Sequence, residues 1–376
     1  MPRLRATGVA TAICMLPFPA MVQAAVWHSA VELPMKVEYD SNPLLDATLD
    51  KSVTRTIIAP DFTLVGTYGL DELSFGAGVE AVRSSDTSVI ANHEDPNLRL
   101  GWKRYNDKGS FGLDASYVES STLSTAVQQT GVVTSDGTQK MYSLFGNWTR
   151  ELDERNTLSN ETGYRHVTYD VSDLTDYDEY VSSFTLDHAW SERLDLFGRF
   201  TARRYEPDQT SNTSSSGFST SNSYDPQVGL KYQFSERLRA SMYVGVNKDS
   251  SADGGPRGEG GVTVNYKGER FDASLDASRS SVASGEGGFS EIDVVQGTWS
   301  YDVDELSRIG FSASWQDSKG QTPNTLRQVG AWGTRDLSPF WSVRLSLSYN
   351  ERQREGVQDA DSKVVGVSLI YRFSNL

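Results

Sequence analysis

The chain has 376 residues, with 50 acidic and 35 basic side chains, a net charge of −15 and a mean hydropathy of −0.46. Its acidic balance and lack of a basic patch exclude a nucleic-acid-binding protein. A helical membrane protein is excluded as well, because no apolar run of about 18 residues follows the N-terminal segment. A transmembrane β-barrel is still allowed, since only alternate residues of its strands need to be apolar.

The N-terminal segment predicts export. Arg3 and Arg5 precede an apolar run from Ala6 to Met21, and a small-x-small pattern before Ala25 predicts cleavage after Ala24. The single cysteine, Cys14, lies inside this segment, so disulfides cannot stabilise the mature chain. We therefore predict a signal peptide over residues 1–24 and one domain over residues 25–376.

Past the signal peptide, apolar and polar residues alternate with a period of two, which is typical of strands. In FWSVRLSLSYN, Trp341 and Val343 fall on one face and Ser342 and Arg344 on the other. Charges recurring on the inner face would be costly in a sandwich core, whereas a watery lumen tolerates them. The predicted strands cover residues 29–41, 52–68, 73–84, 93–104, 109–119, 139–150, 156–169, 178–190, 193–205, 224–234, 237–248, 258–266, 270–281, 289–301, 305–316, 324–334, 340–352 and 362–374.

Short and long joints alternate between these strands. The tight polar turns lie at residues 69–72, 105–109, 151–156, 191–193, 235–237, 267–270, 302–305 and 335–339. Longer joints lie at 119–139, 207–225, 248–258 and 281–291. This pattern predicts an all-β fold, a transmembrane up-and-down antiparallel β-barrel of about 18 strands, with short turns and both termini on the periplasmic side. Sixteen strands are the alternative, because segments 52–68 and 156–169 alternate least cleanly.

Each strand that runs into a tight turn carries an aromatic residue shortly before it, and the last strand carries one at the same level. Trp and Tyr collect where hydrocarbon meets headgroups, because their rings are apolar and their N–H or O–H groups are polar. We predict a periplasmic aromatic girdle made of Tyr68, Trp102, Trp148, Trp190, Tyr232, Tyr266, Trp299, Trp332 and Tyr371.

An 18-stranded barrel encloses an aqueous lumen. The alternation assigns to its wall the charged residues Glu80, Asp114, Arg199, Arg203, Arg239, Asp272, Asp276, Arg344 and Arg372. These charges either set a transverse field for polar cargo or pair with each other and hydrate the wall. The third outer loop, 119–139, has only Glu119 and Asp136 as charges, and we predict that it folds inward as a neutral constriction.

No catalytic or metal site is recognised. His28, His93, His166 and His188 are scattered without metal-ligand spacing, and the glycine runs have no helix after them to form a phosphate cradle. We predict that the protein is not an enzyme and has no cofactor.

Several short motifs carry a resemblance. VEYDSNPLL at 37–45, the recurring LDER, SERL and DEL turns, and the closing GVSLIYRF resemble outer-membrane β-barrel proteins of Gram-negative bacteria, in particular barrel-porin families associated with exopolysaccharide export. Gly366, Tyr371 and Phe373 also resemble the C-terminal signal read by the barrel assembly machinery. That signal usually ends on the aromatic residue, whereas residues 374–376 follow here.

The resemblance implies a conduit for exopolysaccharide across the outer membrane. The alternative is a passive-diffusion porin for small hydrophilic solutes, which needs only the barrel, and a structural barrel with a closed lumen is a third possibility. The predicted partners are outer-membrane lipid and lipopolysaccharide, the barrel assembly machinery and polysaccharide export components, with no nucleic acid.

Overall fold

The computed structural model describes residues 25–48, 51–123, 125, 136–208, 219–250, 255–320 and 322–375. The predicted signal peptide lies outside the described residues. The strands are β1 (Val26–Asp40), β2 (Val53–Ile58), β3 (Asp61–Tyr68), β4 (Asp71–Ser84), β5 (His93–Asn106), β6 (Gly109–Ser121), β7 (Thr138–Glu151), β8 (Asn156–Tyr169), β9 (Tyr177–Ser191), β10 (Leu194–Pro207), β11 (Ser221–Gln233), β12 (Leu238–Asp249), β13 (Arg257–Lys267), β14 (Phe271–Ala283), β15 (Phe289–Asp302), β16 (Ser307–Ser318), β17 (Asn324–Asp336), β18 (Trp341–Arg354) and β19 (Val357–Ser374).

These strands form one closed antiparallel sheet in which each strand pairs with its neighbours in sequence. The barrel closes where β1 pairs with β19, from Ala30 opposite Ser374 to Asp40 opposite Val364. Closure leaves no sheet edge unpaired, as a membrane-spanning sheet requires. In the described residues, no helix is long and apolar enough to cross a membrane.

β2 and β3 are two halves of one spanning strand. The chain breaks at Ala59 and Pro60, because proline has no N–H to donate to the ladder. The pairing register with β4 is unchanged across the break, since Arg55 lies opposite Ser84 and Asp61 lies opposite Gly78. The barrel therefore has 18 strands, which confirms the predicted number, and the irregular alternation in 52–68 marks this break.

Alternation places the two kinds of residue on opposite faces of the wall. Residues directly opposite each other on paired strands share a face, and Leu345 lies opposite Val367 while Arg344 lies opposite Ser368. Leu345 and Val367 are 51% exposed on the outside of the barrel. The outer face is therefore apolar and the inner face polar, as a barrel immersed in lipid requires.

Eight tight turns lie at one end of the barrel, as predicted; we call this the tight-turn end. In one of them, Asp153 accepts hydrogen bonds from the backbone N–H of Arg155 at 2.8 Å and of Asn156 at 2.9 Å. The opposite end, the long-loop end, holds the longer joints and one exception. β18 and β19 continue beyond their predicted ends and are joined by only Glu355 and Gly356, with Gly356 at φ 74°.

Candidate functional site: the barrel lumen

The structure places all nine predicted wall charges on the inner face. Glu80 lies directly opposite Asp95, and Asp114 accepts a hydrogen bond from Asn147 Nδ2 at 2.9 Å. Asp276 accepts one from the hydroxyl of Thr263 at 2.7 Å. Arg239 lines a recess of about 400 Å³ at the tight-turn end.

Much of the inner charge is paired across neighbouring strands. Asp272 pairs with Arg308 and Arg372 with Glu32, so two of the predicted residues are engaged in this way. The ion pairs on the inner face include Arg55–Glu38, Arg99–Asp61, Arg165–Glu179, Lys231–Asp187, Arg308–Asp272 and Arg372–Glu32. Pairs in a hydrated lumen contribute little to stability individually, but they keep opposite charges distributed around the wall.

Four aromatic rings on the inner face lie flat against the wall, each over a glycine of the adjacent strand. A Cβ added to any of these glycines would approach the ring to well under 3.0 Å. The absent side chain is therefore what lets the ring lie against the wall instead of projecting into the lumen. The pairs are Phe145 over Gly163, Phe197 over Gly229, Tyr243 over Gly261 and Trp332 over Gly310.

Arginine guanidinium groups lie against three of these rings. The guanidinium of Arg344 lies 4.4 Å from the ring centre of Trp332, and that of Arg165 lies 4.9 Å from the ring centre of Phe145. Arg199 lies 5.6 Å from the ring centre of Phe197 and also donates to the hydroxyl of Thr185 at 3.2 Å. Such cation–π contacts hold arginine side chains along the wall.

Trp332 corrects the predicted girdle. It lies opposite Gly310 and Ser346 and faces the lumen, whereas the other girdle residues share a face with apolar outer residues. Trp102 is typical of these, since it lies opposite Leu73 and Leu113 and its indole N–H donates to Asp71 at 3.2 Å. Eight of the nine predicted aromatics thus form a ring of outward side chains at the tight-turn end.

A hairpin folds into the lumen near the long-loop end. β14 pairs with β13 only as far as Arg279 opposite Gly260, but it pairs with β15 up to Ala283 opposite Phe289. The end of the β14–β15 unit therefore leaves the wall. We call residues 280–291 the inner hairpin.

Side chains of β10 and β13 hold the inner hairpin. Arg203 donates to the carbonyl oxygen of Ser281 at 2.5 Å, and Glu259 accepts a hydrogen bond from the backbone of the same residue. These contacts satisfy backbone groups of Ser281 near the point where β14 has left β13. Further along, the backbone N–H of Thr175 donates to the carbonyl of Gly285 at 2.8 Å.

An apolar cluster fixes the tip of the inner hairpin. Phe289 packs with Val167, Tyr177 and Tyr205, and all four are at least nine-tenths buried. The rings of Tyr205 and Phe289 lie 6.1 Å apart in an edge-on arrangement. Burial on this scale makes the inner hairpin a fixed part of the lumen.

A cavity of about 600 Å³ lies between the inner hairpin and strands β8–β11. Charges of both signs line it, including Arg165, Glu179, Arg199, Arg203 and Asp225. The lumen beside the inner hairpin is thus polar and of mixed charge.

Other joints also fold over the long-loop end. Leu45 packs against Leu326 and Ala360, while Val53, Val89 and Ile90 form another buried cluster that Leu123 contacts. The predicted constriction, 119–139, falls largely outside the described residues, because residues 124 and 126–135 are not among them. In the described part of the chain, the inner hairpin is a paired unit of the sheet that leaves the wall, and the joint that carries Leu45 packs on the inner face as well.

The histidines make ordinary polar contacts. His93 Nδ1 lies 2.9 Å from Asp95, His166 Nδ1 lies 2.8 Å from Asp178, and His188 Nδ1 lies 2.9 Å from Asn156. Among the described residues, no group of three or more His, Cys, Asp or Glu side chains could hold a metal ion.

Ser374 and Asn375, which follow the predicted assembly signal, extend the seam of the barrel. Ser374 pairs with Ala30, the backbone N–H of Asn375 donates to the carbonyl of Ser29 at 3.0 Å, and its side-chain oxygen accepts from the N–H of Ser29 at 2.5 Å. Tyr371 and Phe373 face outward and Gly366 faces inward on β19. The extension past Phe373 therefore contributes to closure.

Comparison with known proteins supports the fold. No protein-family model matches the chain, and no curated protein matches it. Among solved structures, it is similar to OpdO of Pseudomonas aeruginosa, with a TM-score of 0.55 at 8% identity over 93% of this chain and 98% of that chain. The outer membrane protein opdK of Pseudomonas aeruginosa gives 0.53 at 9% identity over 93% and 99%.

OccAB3 of Acinetobacter baumannii gives a TM-score of 0.51 at 9% identity, over 93% of this chain and 99% of that chain. At identities this low, the structural similarity shows a shared barrel architecture and no more. None of these three structures is described as part of a polysaccharide export system, so the resemblance to exopolysaccharide-associated porins stays a prediction.

Proposed function

We propose that this chain is a passive-diffusion pore for small hydrophilic solutes in the outer membrane of a Gram-negative bacterium. The observation that carries the proposal is the pairing of an apolar outer face with a polar inner face around a closed 18-strand barrel. Barrels of this size enclose an aqueous channel, and opdK, one of the structurally similar proteins named above, is described as an outer membrane protein. No enzymatic step is needed for this role.

The inner face supports a preference for polar, uncharged or zwitterionic solutes. Strands β15–β18 present mostly hydroxyl and amide side chains, and two of these, Ser314 and Gln328, are hydrogen-bonded at 3.4 Å. The facing strands carry the mixed charges that line the cavity beside the inner hairpin. The uncharged inward residues near the middle of β15–β18 are Gln296, Thr298, Ser312, Ser314, Gln328, Gly330, Ser346 and Ser348.

The membrane orientation follows from the two ends. The tight-turn end faces the periplasm, the outward aromatic ring lies at the inner headgroup level, and the long-loop end meets lipopolysaccharide. Insertion depends on the barrel assembly machinery reading the last strand, with Phe373 as its aromatic residue.

Conductance and solute uptake test the proposal. The folded protein is reconstituted into planar bilayers and into liposomes, and the swelling rates of liposomes in isotonic solutions of sugars of increasing size are compared. We expect discrete conductance steps and swelling that falls with solute size. Protein that is unfolded before reconstitution is the control, and equal behaviour of the two preparations would contradict the proposal.

Polysaccharide export is the second candidate, and the hydroxyl-lined wall of β15–β18 favours it. A passing polymer must also clear the inner hairpin, which weighs against a wide conduit. Conductance that is blocked by the organism's own polysaccharide, with loss of that polysaccharide in a deletion strain, would favour export. Unblocked conductance and normal polysaccharide would favour passive diffusion.

A further inference from the structure

A compact group of oxygen atoms lies on the inner face beside the inner hairpin. It comprises Asp225 and Gln227 on β11, Asn247 on β12 and Glu259 on β13. Asp225 and Asn247 occupy facing positions in a gap of the β11–β12 ladder, between the pairs Ser223–Asp249 and Gln227–Gly245. Gly245 lies opposite both Gln227 and Glu259, and a Cβ there would lie 2.7 Å from Gln227 Cγ, so the glycine is what lets the Gln227 side chain lie over β12.

The oxygen atoms of these side chains are buried but not satisfied. Asp225 and Asn247 are each 1% exposed and Glu259 is 7% exposed. No hydrogen-bond partner is present for Asp225 Oδ1, Gln227 Oε1, Asn247 Oδ1 or Glu259 Oε1. Buried acceptors without a donor are costly, and the two carboxyl groups also lie within hydrogen-bonding distance of each other.

Both amide groups donate through their nitrogen atoms, which leaves their oxygen atoms without a hydrogen-bond partner. Asn247 Nδ2 donates to the hydroxyl of Ser223 at 2.7 Å, and Gln227 Nε2 donates to Asp225 Oδ2 at 2.6 Å. Each amide nitrogen is therefore used, and each amide oxygen is left without a donor. Two carboxylates and two amide oxygens without donors form an arrangement that a cation would satisfy.

We propose that this group, the β11–β13 oxygen site, binds a calcium ion. Calcium takes six to eight oxygen ligands from carboxylates, amide carbonyls and water with flexible geometry, whereas magnesium demands near-ideal octahedral geometry and keeps several waters. Water completes the shell from the cavity of about 600 Å³, which Asp225 and Gln227 line.

Arg199 lies opposite Gln227 and lines the same cavity. Arg203 is a second cation beside the site, and the two lower its affinity without filling it. The Arg203 guanidinium acts on Glu259 electrostatically but donates to the carbonyl of Ser281. With two carboxylates and two neighbouring cations, the expected dissociation constant is that of extracellular calcium modules, about 10⁻⁴ to 10⁻³ M.

Calcium binding here fixes the inner hairpin. Glu259 accepts a hydrogen bond from the backbone of Ser281, the residue at which the inner hairpin leaves the wall. A bound ion holds the Glu259 carboxylate in place and so ties the inner hairpin to β11 and β13. Calcium therefore reduces fluctuations of the lumen beside the inner hairpin.

Terbium luminescence and calorimetry test the site on the folded, full-length protein. Terbium stands in for calcium, and Tyr243, which faces the lumen on β12 two residues before Gly245, sensitises its emission. We expect saturable emission that calcium displaces and that magnesium displaces more weakly. Asp225→Asn and Glu259→Gln each weaken calcium binding by about tenfold or more, because each removes one ligand charge.

Asp187→Asn is the matched control. It removes an inner-face carboxylate that pairs with Lys231 away from the site, and it should leave calcium binding unchanged. Heat-modifiable electrophoretic mobility verifies that each variant is folded. Equal binding by wild type and by the Asp225→Asn/Glu259→Gln double variant would overturn the proposal.

Calcium binding by the wild-type protein is itself a test of the β11–β13 oxygen site. If the two carboxyl groups share a proton instead of a calcium ion, calorimetry detects no saturable calcium binding, and the proposal is wrong. Binding is measured without conductance, so this outcome is independent of whether the barrel conducts solutes.

Discussion

Trp332 lies flat against the wall only because residue 310 is a glycine. A Cβ at position 310 would lie 2.7 Å from the indole Nε1 of Trp332 and closer still to two ring carbons. Ordinary contacts between such atoms are about 3.5–4.0 Å, so in Gly310→Ala the indole must move by about 1 Å or more. Backbone blocks movement on the wall side, so we expect the ring to move into the lumen.

The expected loss of stability in Gly310→Ala has two contributions. Forcing an extra methyl group into a packed position costs about 1–3 kcal/mol. The guanidinium of Arg344, 4.4 Å from the Trp332 ring centre, is displaced as well, and a cation–π contact at an accessible site contributes about 0.5–1 kcal/mol. Alanine in place of glycine otherwise favours a strand, which offsets part of this loss.

Gly333→Ala is the control for that offset. Gly333 is the neighbouring residue on β17 but faces outward, and a Cβ there would lie 3.8 Å from Ile309 Cγ2, an ordinary contact. We expect Gly310→Ala to lower both the urea midpoint of unfolding and the single-channel conductance relative to Gly333→Ala. Indistinguishable values for the two variants would refute the argument that glycine holds the ring against the wall.

Three further predictions concern the inner hairpin, a tight turn and the seam. Phe289→Ala removes a buried ring from the cluster that holds the inner hairpin, which costs about 3–5 kcal/mol of stability. We therefore expect larger, noisier conductance and faster proteolysis of the inner hairpin in this variant. Phe340→Ala, at the exposed tight-turn end, is the control and should show neither change. Hydrogen bonds from the Asn156 side chain and the backbone N–H of Arg155 lower the pKa of Asp153. The stabilisation is therefore complete at neutral pH and lost as the pH falls through that lowered pKa, and the urea midpoints of wild type and Asp153→Asn should differ at pH 7 and converge near about pH 2. Removing residues 374–376 deletes the seam contacts to β1, and a heat-stability assay of the folded band should show a lower transition temperature; an unchanged transition would contradict a role in closure.

Strand period and turn chemistry were enough to predict the barrel. Each alternating segment could bury its apolar residues on one side only, so the faces of Asp114, Arg199 and Arg344 followed from parity. The same parity could have excluded Trp332 from the girdle, because it follows Ala331 and precedes Gly333 on the outward face. Distance from the turn was the wrong criterion, since it fixes the level of a residue along the barrel and not its face.

The inner hairpin could not be predicted in the same way. Its departure from β13 depends on contacts with Arg203 and Tyr205, which lie 78 and 79 residues from their partners Ser281 and Ser284 and meet them only in the folded barrel. A local signal exists, since Val282 and Phe289 are apolar residues on either side of the glycine-rich run in 281–291. Apolar residues at such positions in a polar joint indicate burial. The length and neutrality of loop 119–139, which predict a constriction there, carry no such signal.

The conductance of the folded protein in planar bilayers tests the central claim most directly. The account predicts ohmic conductance steps in wild type and larger, noisier steps when the inner hairpin is released by Phe289→Ala. Absence of conductance in both the wild type and the released variant, with each inserted as a folded barrel, would contradict the claim that this lumen is a pore.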